Sequence, residues 1–422
     1  MVREPDDPVN DHVPTPHTAT FVHSGRAALR WLRTPLPAPP ASLRRGPFQN
    51  GAFPSRLRSP RLTALLGVAL ALAFGTCFVT GLLDHLIQHP PGWFHWPSRP
   101  VWLFRFTQGL HVATGLATIP LLGVKLWSVY PRLFRWPPAR DPAHAVERLG
   151  VLVLIAAGLF QLVTGVLNIA LWYGPMHFFF PSAHYWTAWL AIGAILAHIG
   201  VKLPIIRTGL THRPPNAVPP GTLTRRGLLA ATAGAAGVIT LATVGQTVAP
   251  LAPISLLAPR RPRTGPQQLP VNRSAAAAGV RTLAADPGWR LILDGPAGTT
   301  RLSLGDLAAL PQHTVSLPIT CVEGWSADAV WTGVRLRDLI ARAGGDPDNH
   351  EVLAESLETA GLYRSSVVDP AHAHDPLTLV ALQLRGEPLH LDHGYPARLI
   401  APNRPGVLQT KWLSRLTVRP ER

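Results

Sequence analysis

The sequence predicts a multi-domain molecule: an all-α bundle of five membrane-spanning helices, then a soluble α+β domain. Three observations carry that expectation: five long apolar stretches, a basic bias confined to alternate connections, and a change of texture after a Pro/Arg-rich segment near residue 260. The 422 residues leave room for two or three domains. With 45 Pro and 36 Gly, the chain stays below the fraction that marks low-complexity sequences. A formal charge of +16 is compatible with nucleic acid, but 47% hydrophobic content and cations gathered in loops point to a membrane face and lipid, with no nucleic-acid partner.

Residues 1–60 carry many Pro and Arg without an apolar period and read as a disordered cytoplasmic tail. The apolar stretches are Leu62–Leu83, Phe106–Val124, Leu149–Trp172, Tyr185–Val201 with a continuation to Ile206, and Gly227–Leu256. Each supplies the ~20 residues that cross a bilayer as helix. The first four define a four-helix unit over residues 61–210, and residues 221–257 hold the fifth span. The connections Lys125–Arg148 and Lys202–Arg226 hold five Lys/Arg each, Asp84–Trp102 holds only Arg99, and Tyr173–His184 holds none. Positive charge stays on the cytoplasmic side, so everything after about residue 257 is expected outside the cell membrane. Trp93, Trp96, Trp102, Trp172, Tyr173, Tyr185 and Trp186 gather at the outer ends, where an aromatic belt anchors spans.

A histidine at membrane depth is costly without a partner and is a functional candidate for that reason. His111 lies in the second span, His198 in the fourth, and His85 and His184 near the outer ends of the first and fourth. Fourteen residues separate His184 from His198, about four helical turns, which puts both rings on one face. Two uses are open: hydrogen bonding between helices, or haem iron ligation with one or two haems stacked across the bilayer. Gly115, Gly193 and Gly200 would let a flat macrocycle approach the backbone. The run from His184-Tyr185-Trp186 to His198-Ile199-Gly200 resembles the last helix of membrane cytochrome b subunits, which implies haem b. The first span departs from that pattern by lacking a histidine near its cytoplasmic end, so His111 can pair with either His184 or His198, with His85 available to an outer site.

Thr224-Arg225-Arg226-Gly227-Leu228-Leu229 opens the fifth stretch. It resembles a twin-arginine export signal, and positive-inside flanking explains the same arginines equally well.

Residues 258–270 read as a linker and 271–422 as one soluble domain, with strands at Trp289–Leu293 and Arg398–Ala401 and a helix at Leu336–Ala343. It contains a single cysteine, Cys321. Such a thiol is a small buried hydrophobe, a site of oxidation, or a ligand to a soft metal. His372, His374, His390 and His393 lie in loops rich in Asp and Pro and are expected to be solvated.

Around the thiol stand Cys321-Val322-Glu323-Gly324-Trp325, Trp331-Thr332-Gly333-Val334, Gly361-Leu362-Tyr363, Gly386-Glu387-Pro388-Leu389, His393-Gly394-Tyr395-Pro396-Ala397-Arg398 and Lys411-Trp412-Leu413. In this order they resemble the sulfite-oxidase-fold molybdopterin enzymes, and within them the bacterial branch of the periplasmic methionine sulfoxide reductase catalytic subunit. The resemblance implies molybdenum-molybdopterin, with Cys321 as the thiolate ligand, Glu323 as a proton carrier beside the metal oxygen and Tyr363 facing the substrate. It further implies Arg398 and Lys411 at the pterin phosphate, and Asn272 and Arg273 approaching the cofactor from the N-terminal side. The short run after Trp412 implies the compact type without an immunoglobulin-like domain.

Together the two parts predict a membrane oxidoreductase that exchanges electrons between the quinone pool or another membrane donor and an oxygen-atom-transfer site. The substrate would be an S-oxide or N-oxide to be reduced, or sulfite to be oxidised. A non-enzymatic binding module on the same fold is the alternative of a different class. Tethering alone is expected to serve electron exchange, with little affinity between the two parts.

Overall fold

In an apolar run of twenty or more residues, intrahelical bonds are the only local way to pair every backbone N–H and C=O. The computed structural model describes residues 53–133, 139–211 and 222–421, with residues 30 and 34, so the expected N-terminal tail lies almost wholly outside the described residues. It contains five long helices: α1 (Pro60–Gln88), α2 (Leu103–Leu133), α3 (Pro142–Ile169), α4 (Phe180–Thr211) and α5 (Arg225–Val244). All five are long and apolar enough to cross a membrane, with mean hydropathy between 1.5 and 2.3. Ser59, Asp141 and Thr224 cap α1, α3 and α5 by accepting backbone N–H bonds from the first turn.

The last helix stops at Val244, well short of the expected Leu256. Pro250 and Pro253 withhold two amide hydrogens there, and the chain turns into a 3-10 helix over Ala249–Ile254. The expected linker is also partly structural. Leu269 is 1% exposed in the cluster that contains Cys321, and the Gln267 amide donates to Pro388 O at 3.0 Å.

The C-terminal domain has ten strands: β1 (Arg290–Gly295), β2 (Gly298–Ser303), β3 (His313–Thr320), β4 (Ser326–Arg335), β5 (His350–Ser356), β6 (Ser365–Val368), β7 (Leu379–Leu384), β8 (Glu387–Pro388), β9 (Arg398–Ile400) and β10 (Leu413–Pro420). One sheet runs β2-β1-β10-β5-β6, and the other runs β3-β4-β7-β8 with β9 paired to β7. The helix Leu336–Arg342 packs Leu336, Leu339 and Ile340 into the core of the first sheet beside Leu291, Leu293 and Leu416.

The two parts are docked and hydrogen-bonded to each other, which corrects the expectation of a loose tether. Arg99, the one Lys/Arg of its connection, grips Asp375 by donating from Nε and Nη2 at 2.9 and 3.0 Å. Asp375 is 4% exposed, so the bidentate pair is shielded from water on one side. Asn403 does most for the α2 end: its Oδ1 accepts from Phe104 N and its Nδ2 donates to Pro97 O, both at 2.7 Å. It thereby caps a long helix of the bundle from the other domain. Trp96 also leaves the expected aromatic belt, since its indole donates to Asn403 O at 2.8 Å. Arg105 on α2 reaches Asp328 at 2.8 Å and Thr247 O at 2.8 Å.

Asn403→Ala would strand the Phe104 N–H and Pro97 O in a buried seam and should cost about 1–3 kcal/mol. Thermal unfolding of the detergent-solubilised full chain should show a lower Tm for the variant. An unchanged Tm would contradict the role given to this side chain.

Candidate active site

Cys321 follows β3 and opens a tight turn into β4, in which Gly324 N donates to Cys321 O at 3.0 Å and Cys321 N to Trp325 O at 2.9 Å. Gly324 sits at φ +93°, a conformation that favours glycine. A Cβ there would also come within 2.8 Å of Val112 Cγ2 on α2. The turn is therefore shaped by its own backbone and by the helix pressed on it.

The thiol is 2% exposed among Ile319, Trp325 and Trp331, yet it also lines a cleft. The cleft gathers Asn272, Arg273, Cys321, Tyr363, Arg398 and Lys411. Its enclosed part is about 100 Å³, and its whole free space, including the mouth open to solvent, is about 710 Å³. Asn272 Nδ2 stands 4.0 Å from Cys321 Sγ. Arg273 is exposed and pairs with Glu358 at 3.0 Å. Of the expected soluble-domain site residues, Glu323 alone is absent from the cleft lining; it lines a second cavity inside the bundle while its carboxylate keeps a hydrogen bond with the Cys321 thiol.

Burial pushes the Cys321 thiol well above its ordinary range, and the neighbouring Glu323 carboxylate adds to this. A cation in the cleft would reverse that tendency. Glu323 is raised by burial too, against the indole of Trp325 donating to its Oε2 at 3.0 Å. Arg398 is 2% exposed, and burial lowers it to about 9. Its guanidinium finds only carbonyls, of His393 at 3.0 Å and Gln409 at 3.3 Å, and lies 5.1 Å from the Trp331 ring centre. Its Nε has no hydrogen-bond partner among the described residues. A buried cation without a carboxylate is costly in isolation and is the chemistry of an anion site.

Two of the loop histidines expected in solvent are buried. His393 is 2% exposed and donates through Nε2 to Pro266 O at 2.7 Å, with burial lowering it to about 4. His372, also 2% exposed, is held by Asp369 at 2.8 Å. His372 sits on the short helix Pro370–His374 and His393 on the 3-10 helix Leu391–His393, elements that Asp and Pro content does not announce. His374 and His390 stay half exposed.

The second cavity, about 520 Å³, is lined by His85, His111 and His184 from the bundle and by Val322, Glu323 and Tyr363 from the soluble domain. The rings of His111 and His184 stand 6.4 Å apart, centre to centre. A metal held by two imidazole nitrogens at about 2 Å each sets ring centres roughly 6 Å apart. Nδ1 of His111 faces Cys77 O at 2.8 Å and Nδ1 of His184 faces Thr164 Oγ1 at 3.1 Å, which leaves both Nε2 atoms for a ligand. Gly81 and Gly165 face these rings, at 2.7 and 3.7 Å from ideal Cβ positions to the Cε1 atoms. His85 stacks on Tyr185 at 3.7 Å along the rim. His198 lies outside this cavity, toward the Lys202–Glu147 pair.

Sequence reasoning missed Gln88, Gln108 and Arg260. Gln108 Nε2 on α2 donates to Val322 O at 2.9 Å, and Tyr363 donates its hydroxyl to Gln88 Oε1 at 3.1 Å. Arg260, assigned to a linker, is near enough for its charge to lower both Cys321 and Glu323. Isolated amides and a linker arginine carry no period or motif by which they could be found.

Lys411 donates to Arg273 O at 2.6 Å and Asp392 O at 3.1 Å; burial first, then Arg398, lowers it to about 7. The unfolded chain keeps this proton up to about 10.5 and the folded one only to about 7, so with nothing bound in the cleft stability rises with pH across that window. Denaturation midpoints taken through the window should climb more steeply for the parent protein than for Lys411→Met. Parallel slopes would contradict the buried, charge-strained ammonium.

A family model described as oxidoreductase molybdopterin binding domain matches residues 278–422. Mitochondrial sulfite oxidase of Drosophila melanogaster is 34% identical over 155 residues, covering 31% of this chain and 27% of that protein. The human mitochondrial sulfite oxidase is 31% identical over 156 residues, covering 31% and 29%. A putative protein-methionine-sulfoxide reductase subunit YedZ1 of Azospira oryzae is 34% identical over 116 residues, covering 28% of this chain and 43% of that protein. The chain thus spans less than half the length of each relative. With the Cys321 turn, the cleft and the buried cations in one domain, residues 278–422 form a molybdopterin-binding oxidoreductase domain of the sulfite oxidase type.

Proposed function

We propose that the chain is a membrane-bound molybdenum oxidoreductase in which a haem-carrying bundle exchanges electrons between the quinone pool and an extracytoplasmic oxygen-atom-transfer site that reduces S- or N-oxides. The observation that carries this reading is the shared wall: the cavity holding His111 and His184 is closed by Val322 and Glu323, the two residues after Cys321. Reduction of a sulfoxide takes up two electrons and two protons and releases a sulfide and water. It needs electrons and protons at one place, and here both supplies converge on one turn.

The cleft fits the pterin group by its donor set. Cys321 offers the soft ligand, while Arg398 and Lys411 offer buried positive charge to a phosphate and Asn272 an amide beside the sulfur. Arg273, paired with Glu358, lines the same cleft and would offer a further cation to a bound cofactor. When bound, molybdopterin supplies a metal that takes or gives an oxygen atom in a two-electron step, and haem supplies one-electron relay. Glu323, raised by burial, holds its proton to higher pH than an exposed carboxyl does. Tyr363 places a hydroxyl at the boundary of cleft and cavity. His111 and His184 would hold one haem b iron, His85 lines the same cavity and would be available at an outer site, and His198 would serve only a second, inner haem.

Cation-rich connections on one side of the bundle support an extracytoplasmic C-terminal domain in the cell membrane, and Arg225-Arg226 at the start of α5 supports export by the twin-arginine route. The sulfite oxidase relatives favour a second reading, in which sulfite is oxidised and electrons run the other way.

Detergent-purified protein should contain molybdenum by elemental analysis and show a haem band in a reduced-minus-oxidised spectrum. With reduced dye it should turn over sulfoxides, and turnover only with sulfite plus an acceptor dye would reject the reductive direction. Cys321→Ser should drop dye-driven turnover to background while keeping the haem band. His111→Ala or His184→Ala should do the reverse, losing the band while dye-driven turnover persists. Retained turnover in Cys321→Ser would refute its role as ligand.

A further inference from the structure

We infer that Gln88, the last residue of α1, is a positioning residue of the substrate cleft, because it fixes the Tyr363 hydroxyl from the bundle side. The inference deepens the proposed function and rests on it for the use made of Tyr363, though not for the contact itself.

Tyr363 lies in residues 357–364, the connection between β5 and β6. The connection carries Gly361 at φ +108° and an exposed Leu362, so little in it holds a ring in one place. The partner that does so comes from the bundle, since the phenol donates to Gln88 Oε1 at 3.1 Å. Gln88 is itself oriented: its Nε2 donates to Asp84 Oδ2 at 3.2 Å and to Asp84 O at 3.3 Å. The Asp84 backbone carbonyl can only accept, so it fixes which end of the Gln88 amide it meets. The carbonyl end must then face Tyr363, and the phenol must donate to it. The hydroxyl proton is thereby committed away from the cleft, and Tyr363 presents an oxygen lone pair there. A line of three groups therefore sets both the position and the polarity of a side chain that borders the cleft and the bundle cavity alike. Asp84 Oδ1 is buried without a hydrogen-bond partner among the described residues, so the line ends at the cavity wall. The cleft is on this account composite, with one of its orienting groups supplied by an apolar helix of the other domain.

A double-mutant cycle on the full-length protein in detergent tests this, with Gln88→Met, Tyr363→Phe and the pair. Methionine keeps the length of glutamine and removes the acceptor. With reduced dye and methionine sulfoxide, each single variant should lower kcat/KM about tenfold, mainly through the KM for the oxide and not the KM for the dye. The pair should lose no more than either single variant, because one bond is being removed twice. If sulfite proves to be the substrate, its KM is read in the same cycle.

Amide hydrogen exchange over residues 357–364 gives a readout that needs no turnover. It should quicken equally in both single variants, with no increment in the pair. Unchanged exchange in Gln88→Met, additive kinetic losses, or a silent Tyr363→Phe would each overturn the inference. Absence of turnover in the parent protein alongside the expected exchange pattern would instead count against the proposed function and leave the composite cleft standing.

Discussion

Gln108 donates to Val322 O, Thr247 Oγ1 donates to Gly324 O, and Ser326 N donates to Gln246 O. Two side chains from the helical part thus grip the turn between Cys321 and Trp325, and a backbone carbonyl holds Ser326 just after it. Gly324 makes the grip possible, since its bare Cα lets α2 approach to a distance that any Cβ would block. The sulfur of one domain and His111, one residue before Val112, are consequently placed by the same contact. A mobile tether would give the two parts a high effective concentration, whereas this seam holds the Cys321 turn at a fixed place against α2.

The same seam explains why polar residues are concentrated where the two domains meet. The backbone groups of an exposed turn can pair with water, but those of a covered turn need protein partners. Asn403 and Gln108 supply these partners with neutral amides, which cost less to bury than charges. Arg99 and Arg105 add ion pairs across the same boundary, whereas in the cleft Arg398 and Lys411 are both lowered by burial and Arg398 further disfavours the Lys411 charge. That arrangement strains the folded domain when no anion is bound and would be relieved by one.

The helical half was legible because length and hydropathy suffice for it: the five apolar stretches lie on α1 to α5, apart from the C-terminal end of the fifth, where Gly245, Pro250 and Pro253 stop the helix inside an apolar run. The cleft was legible through ordered motifs, and the fold brings Asn272, Arg273, Cys321, Tyr363, Arg398 and Lys411 to one wall. The histidines were legible as a set but not in their pairing. Helical spacing puts His184 and His198 on one face, and only the packing of α2 against its neighbours shows which of them meets His111. What could not be read were the contacts between domains. A glutamine at the end of a span or an asparagine in a loop has no period, and its partner is hundreds of residues away in sequence.

The account's central claim is that electrons held in the bundle reach the Cys321 site through this seam. Rapid mixing of dithionite-reduced, detergent-purified protein with methionine sulfoxide, followed at the haem absorption band, tests it most directly. The account predicts reoxidation of the band within the turnover time of the parent protein and none in Cys321→Ser. A band that is missing, or that reoxidises equally fast in Cys321→Ser, would contradict it.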